Sequence, residues 1–251
     1  MERLLVFDGD DTLWSTEALY DDARERCRQL VASEGYDDEL WEAVERRRDV
    51  DNVAIYGMTA VRFPTSCVEA LDEISADGPL PASPELRAAV WQEANTVFEL
   101  PAPLIDGASE VLDVLGKSFH LTLLTKGDEM VQTRRVDASG LRTKFCQVTI
   151  VSEKSPQVFH AIARSIGIEP SAAVSVGNSL ASDIYPAIES GMRGLWIDAH
   201  VWEYERSRSN KVPLRPDVLV AESLRHVPET LANARLTDFS PASPAGLTQS
   251  G

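Results

Sequence analysis

Six short apolar runs, each closed off by polar residues or glycine, decide what this chain can fold into. They cover residues 3–7, 120–124, 147–151, 172–176 and 194–197, with a weaker one at 218–220. Runs this short and this continuously apolar suit strands buried on both faces, the pattern of a parallel sheet. Helical patterns lie between most of them. Residues 108–115 carry Val111, Leu112 and Leu115. Residues 156–166 align Val158, Phe159, Ile162 and Ile166 on one stripe, and residues 182–190 contribute Ile184, Ala187 and Ile188. Strands alternating with helices predict an α/β fold, a parallel sheet with helices on both faces and right-handed crossovers.

The first two runs break the alternation. Residues 8–119 separate them, and this stretch reads as mainly helical over 19–32, 38–48, 66–74 and 84–98. Asp37 or Asp38 can cap the second helix, and Ser83 followed by Pro84 and Glu85 is a good start for the fourth. An insertion of this kind between neighbouring strands is expected to form a helical cap over the sheet's edge. The expected division is a core of residues 1–14 and 100–236, a cap of residues 15–99, and a flexible tail of residues 237–251, rich in Ser, Pro, Ala and Gly.

The formal net charge is −16, with 43% hydrophobic and 25% charged residues among 251. That hydrophobic fraction supports a sizeable core. The acidic balance argues against nonspecific binding to nucleic acid or an anionic membrane, whose phosphates it repels. It leaves room for a small phosphorylated ligand, because local cations and a bound metal decide the field in a cleft. No apolar run approaches the ~20 residues that span a bilayer. The first strand begins almost at once with no leader pattern ahead of it, so a cytoplasmic protein is the expectation. Cys27, Cys67 and Cys146 are odd in number and contain no Cys-x-x-Cys pair. They are read as reduced, mostly buried thiols rather than a zinc site or a disulfide framework. Oligomeric state is left open.

The first apolar run leads straight into three acids, in Val6-Phe7-Asp8-Gly9-Asp10-Asp11-Thr12-Leu13. Functional groups of a parallel sheet gather at the carboxyl ends of its strands, and Asp8 falls there. Asp10 lies beyond a glycine that lets the backbone turn. Carboxylates this close repel, and their site needs a cation or a shared proton. The segment resembles the first motif of the haloacid dehalogenase-like superfamily, an apolar strand followed by Asp-x-Asp-x-Thr/Val. The resemblance implies a Rossmann-like core with an inserted helical cap. It also implies that Asp8 attacks phosphorus to become an aspartyl phosphate, and that Asp10 acts first as general acid and then as general base. Both residue types suit these roles: a carboxylate serves as a covalent nucleophile, and a second carboxyl within reach passes the proton.

Three further strand ends resemble the remaining motifs, in the family's order. Leu121-Thr122-Leu123-Leu124-Thr125-Lys126 ends in the Thr of the second motif, which implies that Thr125 and nearby amides hold phosphoryl oxygens. Lys126 stands where many relatives have Asn; it either adds positive charge near the phosphate or points to solvent. Lys154, before a helix that Pro156 helps start, resembles the Lys of the third motif, which neutralises nucleophile and phosphate. Val176-Gly177-Asn178, followed by Asp183, resembles the fourth motif, with Asn178 in place of the usual Asp. The resemblance implies Mg²⁺ on Asp8, the main-chain carbonyl of Asp10, and Asp183, with Asn178 contributing through its amide oxygen or a water. The structural alternative for Asp183 is a plain helix cap.

The implied function is a magnesium-dependent phosphatase acting on a small phosphate monoester. Dehalogenases proper of this superfamily use one nucleophilic Asp without a metal and generally lack the second Asp, which is present here as Asp10. A phosphomutase on the same core is the nearest rival, and a phosphate-binding protein with weak or no turnover is the alternative from another class. Substrate choice is expected in the cap, around residues 51–58 and 62–66. Arg62 is read as a surface residue ahead of a contact for a substrate anion, and Tyr56 and Phe63 as core aromatics ahead of an apolar wall. Arg46, Arg47 and Arg48 read as a solvated helix face, Asp11 as a solvated turn residue, and Trp14, Trp202 and Tyr204 as packing groups, Trp14 at the cap hinge.

Overall fold

The computed structural model describes residues 3–76, 81–199, 202, 204, 205 and 214–236; the tail expected over 237–251 lies outside them. Strands β1 (Leu4–Phe7), β2 (His120–Lys126), β3 (Gln147–Val151), β4 (Ala173–Gly177), β5 (Arg193–Ile197) and β6 (Leu219–Ala221) form one sheet in the order β3-β2-β1-β4-β5-β6. Every pairing is parallel. The chain runs from β1 outward through β2 and β3, then crosses to β4 on the other side of β1. The strand order therefore reverses between β1 and β4, the place where sheets of this kind hold ligands.

Side chains of a strand alternate between faces, and β1 divides its four buried residues accordingly. Leu5 and Phe7 enter one hydrophobic cluster, with Val111 and Leu112 of α6 (Ala108–Leu115), Val136 of α7 (Glu129–Ala138) and Leu231 of α10 (Val227–Asn233). Leu4 and Val6 enter another, with Phe159 and Ile162 of α8 (Pro156–Ile166) and Ala187 of α9 (Tyr185–Glu189). Helices thus cover both faces. The expected helix over 182–190 is split: a π turn, Leu180–Ile184, precedes α9.

The insertion after β1 is helical, with α1 (Glu17–Ser33), α2 (Asp38–Asp51), α3 (Val53–Tyr56), α4 (Arg62–Ala76) and α5 (Pro84–Asn95). These pack around their own cluster, which includes Trp41, Phe63, Cys67, Leu71 and Val90. The expected caps form: Asp37 accepts from Leu40 N at 2.9 Å, and Ser83 from Leu86 N at 3.1 Å. Helix α4 starts four residues before the expected position because Pro64 falls in its first turn, where a missing N–H costs nothing. Arg46, Arg47 and Arg48 lie on the outer face of α2 and pair with Glu42 and Glu73. Arg62 is a correction: it is buried, and its guanidinium is ion-paired with Asp49. Phe63 is a core aromatic, fully buried. Cys27 and Cys67 are buried free thiols, while Cys146 is an exposed one. No helix among the described residues is long and apolar enough to cross a membrane.

Candidate active site

Register brings the strand ends together. Phe7 pairs with Leu123 on one side and Val176 on the other, and Asp8 N continues the ladder to Val176 O at 2.9 Å. Asp8, one residue beyond this row, and Thr125 and Asn178, two residues beyond it on the flanking strands, therefore gather at one rim. Lys154 reaches the same rim from the loop after β3. Its Nζ donates to Asp8 Oδ1 at 2.5 Å and to Asp183 Oδ1 at 2.7 Å. All three side chains are buried. Asp8 Oδ2 accepts from Thr12 Oγ1 at 3.0 Å, and the same hydroxyl lies 3.5 Å from Asn178 Oδ1.

Burial pushes the Asp8 carboxyl up to about 7; the nearby Asp183 carboxylate adds to the rise, and the Lys154 ammonium pulls against it. Burial works equally against the Lys154 charge, but Asp183 and Asp8 outweigh it and hold that ammonium above its ordinary range. Asp183 does cap its turn, its Oδ2 accepting from Ser179 N at 2.9 Å, while its other oxygen faces Lys154. The backbone gives way for it at Gly177, where a Cβ would stand 2.4 Å from Asp183 Oδ2.

Thr125 is fully buried, and its hydroxyl finds no hydrogen-bond partner among the described residues. An orphaned hydroxyl in a polar cavity wall is a group waiting for a ligand oxygen. Lys126 does not point to solvent. Its ammonium lines the cavity, 3.1 Å from Ser182 Oγ and ion-paired with Glu205, which also accepts from the hydroxyls of Ser179 and Ser182 at 2.7 Å.

Asp10 is held by three donors: Trp14 Nε1 at 2.7 Å, Gln132 Nε2 at 2.8 Å and Arg135 Nη1 at 2.9 Å. Trp14 is thus more than packing, although it is fully buried where the insertion begins. Asp11 is not the solvated turn residue expected. It adopts a left-handed conformation, φ 57°, and its carboxylate accepts from Thr16 N at 2.8 Å, Thr16 Oγ1 at 2.8 Å and Glu17 N at 3.0 Å. It caps the start of α1 from five residues upstream. Burial raises its carboxyl against these bonds.

Sequence reasoning passed over Gln132, Arg135 and Glu205. The first two sit on α7, a helix the apolar pattern does not announce, because its inner face is half polar: Val131 and Val136 are buried beside Gln132 and Arg135. The available signal was Asp128, which caps that helix through Met130 N and Val131 N.

Together these groups line a cavity of about 160 Å³, with Tyr20, Arg24, Met58 and Arg62 facing it from the insertion. Among the described residues no three His, Cys, Asp or Glu side chains converge to enclose a cation. Two carboxylates, Asp8 and Asp183, converge on the Lys154 ammonium, and the Asn178 amide is joined to Asp8 through Thr12. An all-oxygen set with few protein donors suits Mg²⁺, which keeps most of its waters.

A doubly wound parallel sheet, an acidic site at the reversal of its strand order and a helical insertion over that site define a capped α/β enzyme. A sequence profile of haloacid dehalogenase-like hydrolases matches residues 2–191, and the chain belongs to that family. It is 28% identical over 197 residues to a glyceraldehyde 3-phosphate phosphatase of Methanopyrus kandleri, an alignment covering 76% of this chain and 82% of the relative. Its fold resembles a haloacid dehalogenase-like family hydrolase from Xanthomonas campestris, with TM-score 0.72, 24% identity and coverage of 93% and 97% of the two chains. It also resembles a magnesium-bound HAD-hydrolase of Bacillus subtilis, with TM-score 0.62, 19% identity and coverage of 91% and 98%.

Proposed function

We propose that this hydrolase is a magnesium-dependent phosphatase that cleaves a small phosphate monoester through an aspartyl phosphate on Asp8. The observation that carries the reading is Lys154 set between Asp8 and Asp183, all three buried at one sheet rim. A buried ammonium there lowers the cost of bringing a phosphate dianion to a carboxylate nucleophile. The name of the Methanopyrus kandleri relative supports phosphate-ester chemistry, and Asp10 sets the site apart from a metal-free dehalogenase.

In this reading Asp8 bonds to phosphorus as the ester P–O bond breaks, and Asp10 gives its proton to the leaving alkoxide. Asp10 then takes a proton from water as that water attacks the aspartyl phosphate, releasing phosphate and restoring Asp8. Thr125 and Lys154 hold phosphoryl oxygens, and Lys126 is a further cation at the wall, shared with Glu205. Asp8, Asp183, the main-chain oxygen of Asp10 and the Asn178 amide would hold Mg²⁺, which supplies neutralising charge for the transferring group. Residues 1–14 and 100–236 act as the catalytic core and residues 15–99 as the cap that chooses the ester. Neither nucleic acid nor membrane is a partner.

The test is release of nitrophenol from p-nitrophenyl phosphate. The expected result is turnover that requires Mg²⁺ and falls by about a thousandfold or more in Asp8→Asn. Turnover that survives that substitution sinks the assignment. Free phosphate as the product of a hexose 1-phosphate, rather than an isomeric hexose phosphate, separates this reading from a mutase.

A further inference from the structure

Among the described residues, five cations line the cavity: Arg24, Arg62, Lys126, Arg135 and Lys154. All five are ion-paired with nearby carboxylates. Lys154 faces Asp8 and Asp183, Lys126 faces Glu205, Arg24 faces Glu45, and Arg62 faces Asp49 with Trp202 stacked 4.5 Å from its guanidinium. Arg135 differs. Its Nη1 donates to Asp10 Oδ2, and among the described residues no acceptor beyond the Tyr20 hydroxyl meets Nε and Nη2, although the residue is only 7% exposed.

Those two nitrogens form one flat edge of the guanidinium, the edge that grips both oxygens of a carboxylate. This protein uses the same edge elsewhere. Arg225 takes Asp106 with Nε and Nη2 at 2.6 and 2.7 Å, and Arg215 takes Asp217 at 3.0 and 2.9 Å. A buried donor left without an acceptor costs roughly 1–3 kcal/mol, so two of them on one edge call for a partner. The Tyr20 hydroxyl stands beside this guanidinium and offers one oxygen where the edge has two donors.

We propose, resting on the phosphatase reading, that Arg135 receives a carboxylate of the substrate, so that the preferred ester is a small phosphorylated carboxylic acid. The cavity measures about 160 Å³. That accommodates a phosphoryl group and a few carbons. A carboxylate on the free edge also shares the guanidinium with Asp10, which links recognition of the substrate's far end to the group that handles its proton.

The test compares two esters that differ chiefly in one group: 3-phosphoglycerate, with a carboxylate, and glycerol 3-phosphate, with a hydroxymethyl. The full chain with Mg²⁺ is assayed on both, with p-nitrophenyl phosphate as the check on phosphatase chemistry. The expected kcat/KM for 3-phosphoglycerate is higher by about tenfold or more. Arg135→Lys brings the ratio close to one, whatever happens to the absolute rates, because an ammonium cannot grip two oxygens in a plane. A wild-type ratio near one, or a ratio unchanged in Arg135→Lys, overturns the proposal; the wild-type ratio decides alone if circular dichroism finds that variant unfolded. Failure on all three esters sinks the phosphatase reading instead. The carboxylate site then stands or falls on calorimetric titration of Asp8→Asn with the same pair. A Kd about tenfold tighter for 3-phosphoglycerate supports it, and equal Kd values overturn it.

Discussion

At the scale of single residues, the site balances three charges out of water. Among the described residues Lys154 is the cation paired with both Asp8 and Asp183, carboxylates that otherwise repel, so its removal has a cost beyond any loss of activity. Lys154→Met is expected to lower stability by about 3 kcal/mol or more in metal-free buffer, and Mg²⁺ is expected to restore part of it as a replacement counter-charge. Thermal melts with and without the ion check this; a variant as stable as wild type and indifferent to Mg²⁺ would contradict the balance. Gly177 makes a second point. Its missing side chain leaves the space that Asp183 fills, so Gly177→Ala pushes that carboxylate off its place. Displacement of an ångström at a reacting centre costs on the order of a hundredfold in rate, and the expected loss in kcat is of that size with the fold intact by circular dichroism.

At the scale of elements, the insertion stands on ordinary helix chemistry. Ser83 satisfies the Leu86 amide at the start of α5, and Ser83→Ala is expected to cost about 1 kcal/mol in denaturant unfolding. The elements also explain what could be read from the chain beforehand. The inner strands β1, β2, β4 and β5 were legible because they are largely buried on both faces, while the edge strands β3 and β6 are only partly buried and β6 gave the weaker run; Asp8, Thr125, Lys154 and Asp183 were legible because each follows one of those runs. Thr16, Asp11 and Trp14 were not, because their roles depend on a loop folding back on itself: Asp11 N bonds to Trp14 O at 2.7 Å. Helix α7 was missed for a related reason. Its Gln132 and Arg135 face inward to meet Asp10, so polar residues stand where an apolar stripe would have betrayed a helix. Arg62 was read as exposed because an arginine usually is; only Asp49, thirteen residues earlier in sequence and beside it in space, makes its burial tolerable.

At the scale of the whole molecule, the core with its two hydrophobic clusters and the cap with one form two assemblies in one chain, and the cap's assembly carries buried ions of its own. Burial pushes the Glu45 carboxyl up to about 7, with Arg24 pulling against it. The folded chain then binds this proton more tightly than the unfolded one, so stability falls as pH rises from about 4.5 to about 7. Melting temperatures across that range should decline more steeply in wild type than in Glu45→Gln, and equal slopes would remove Glu45 from the account. Asp11 finally gives the two assemblies a mechanical relation. One short loop carries Asp8 at its beginning and, through Asp11, seizes the first turn of the inserted helices at its end. Any swing of those helices must pull on the loop, so a transplanted cap from another protein would inherit this sheet's chemistry only by keeping an aspartate at that left-handed position.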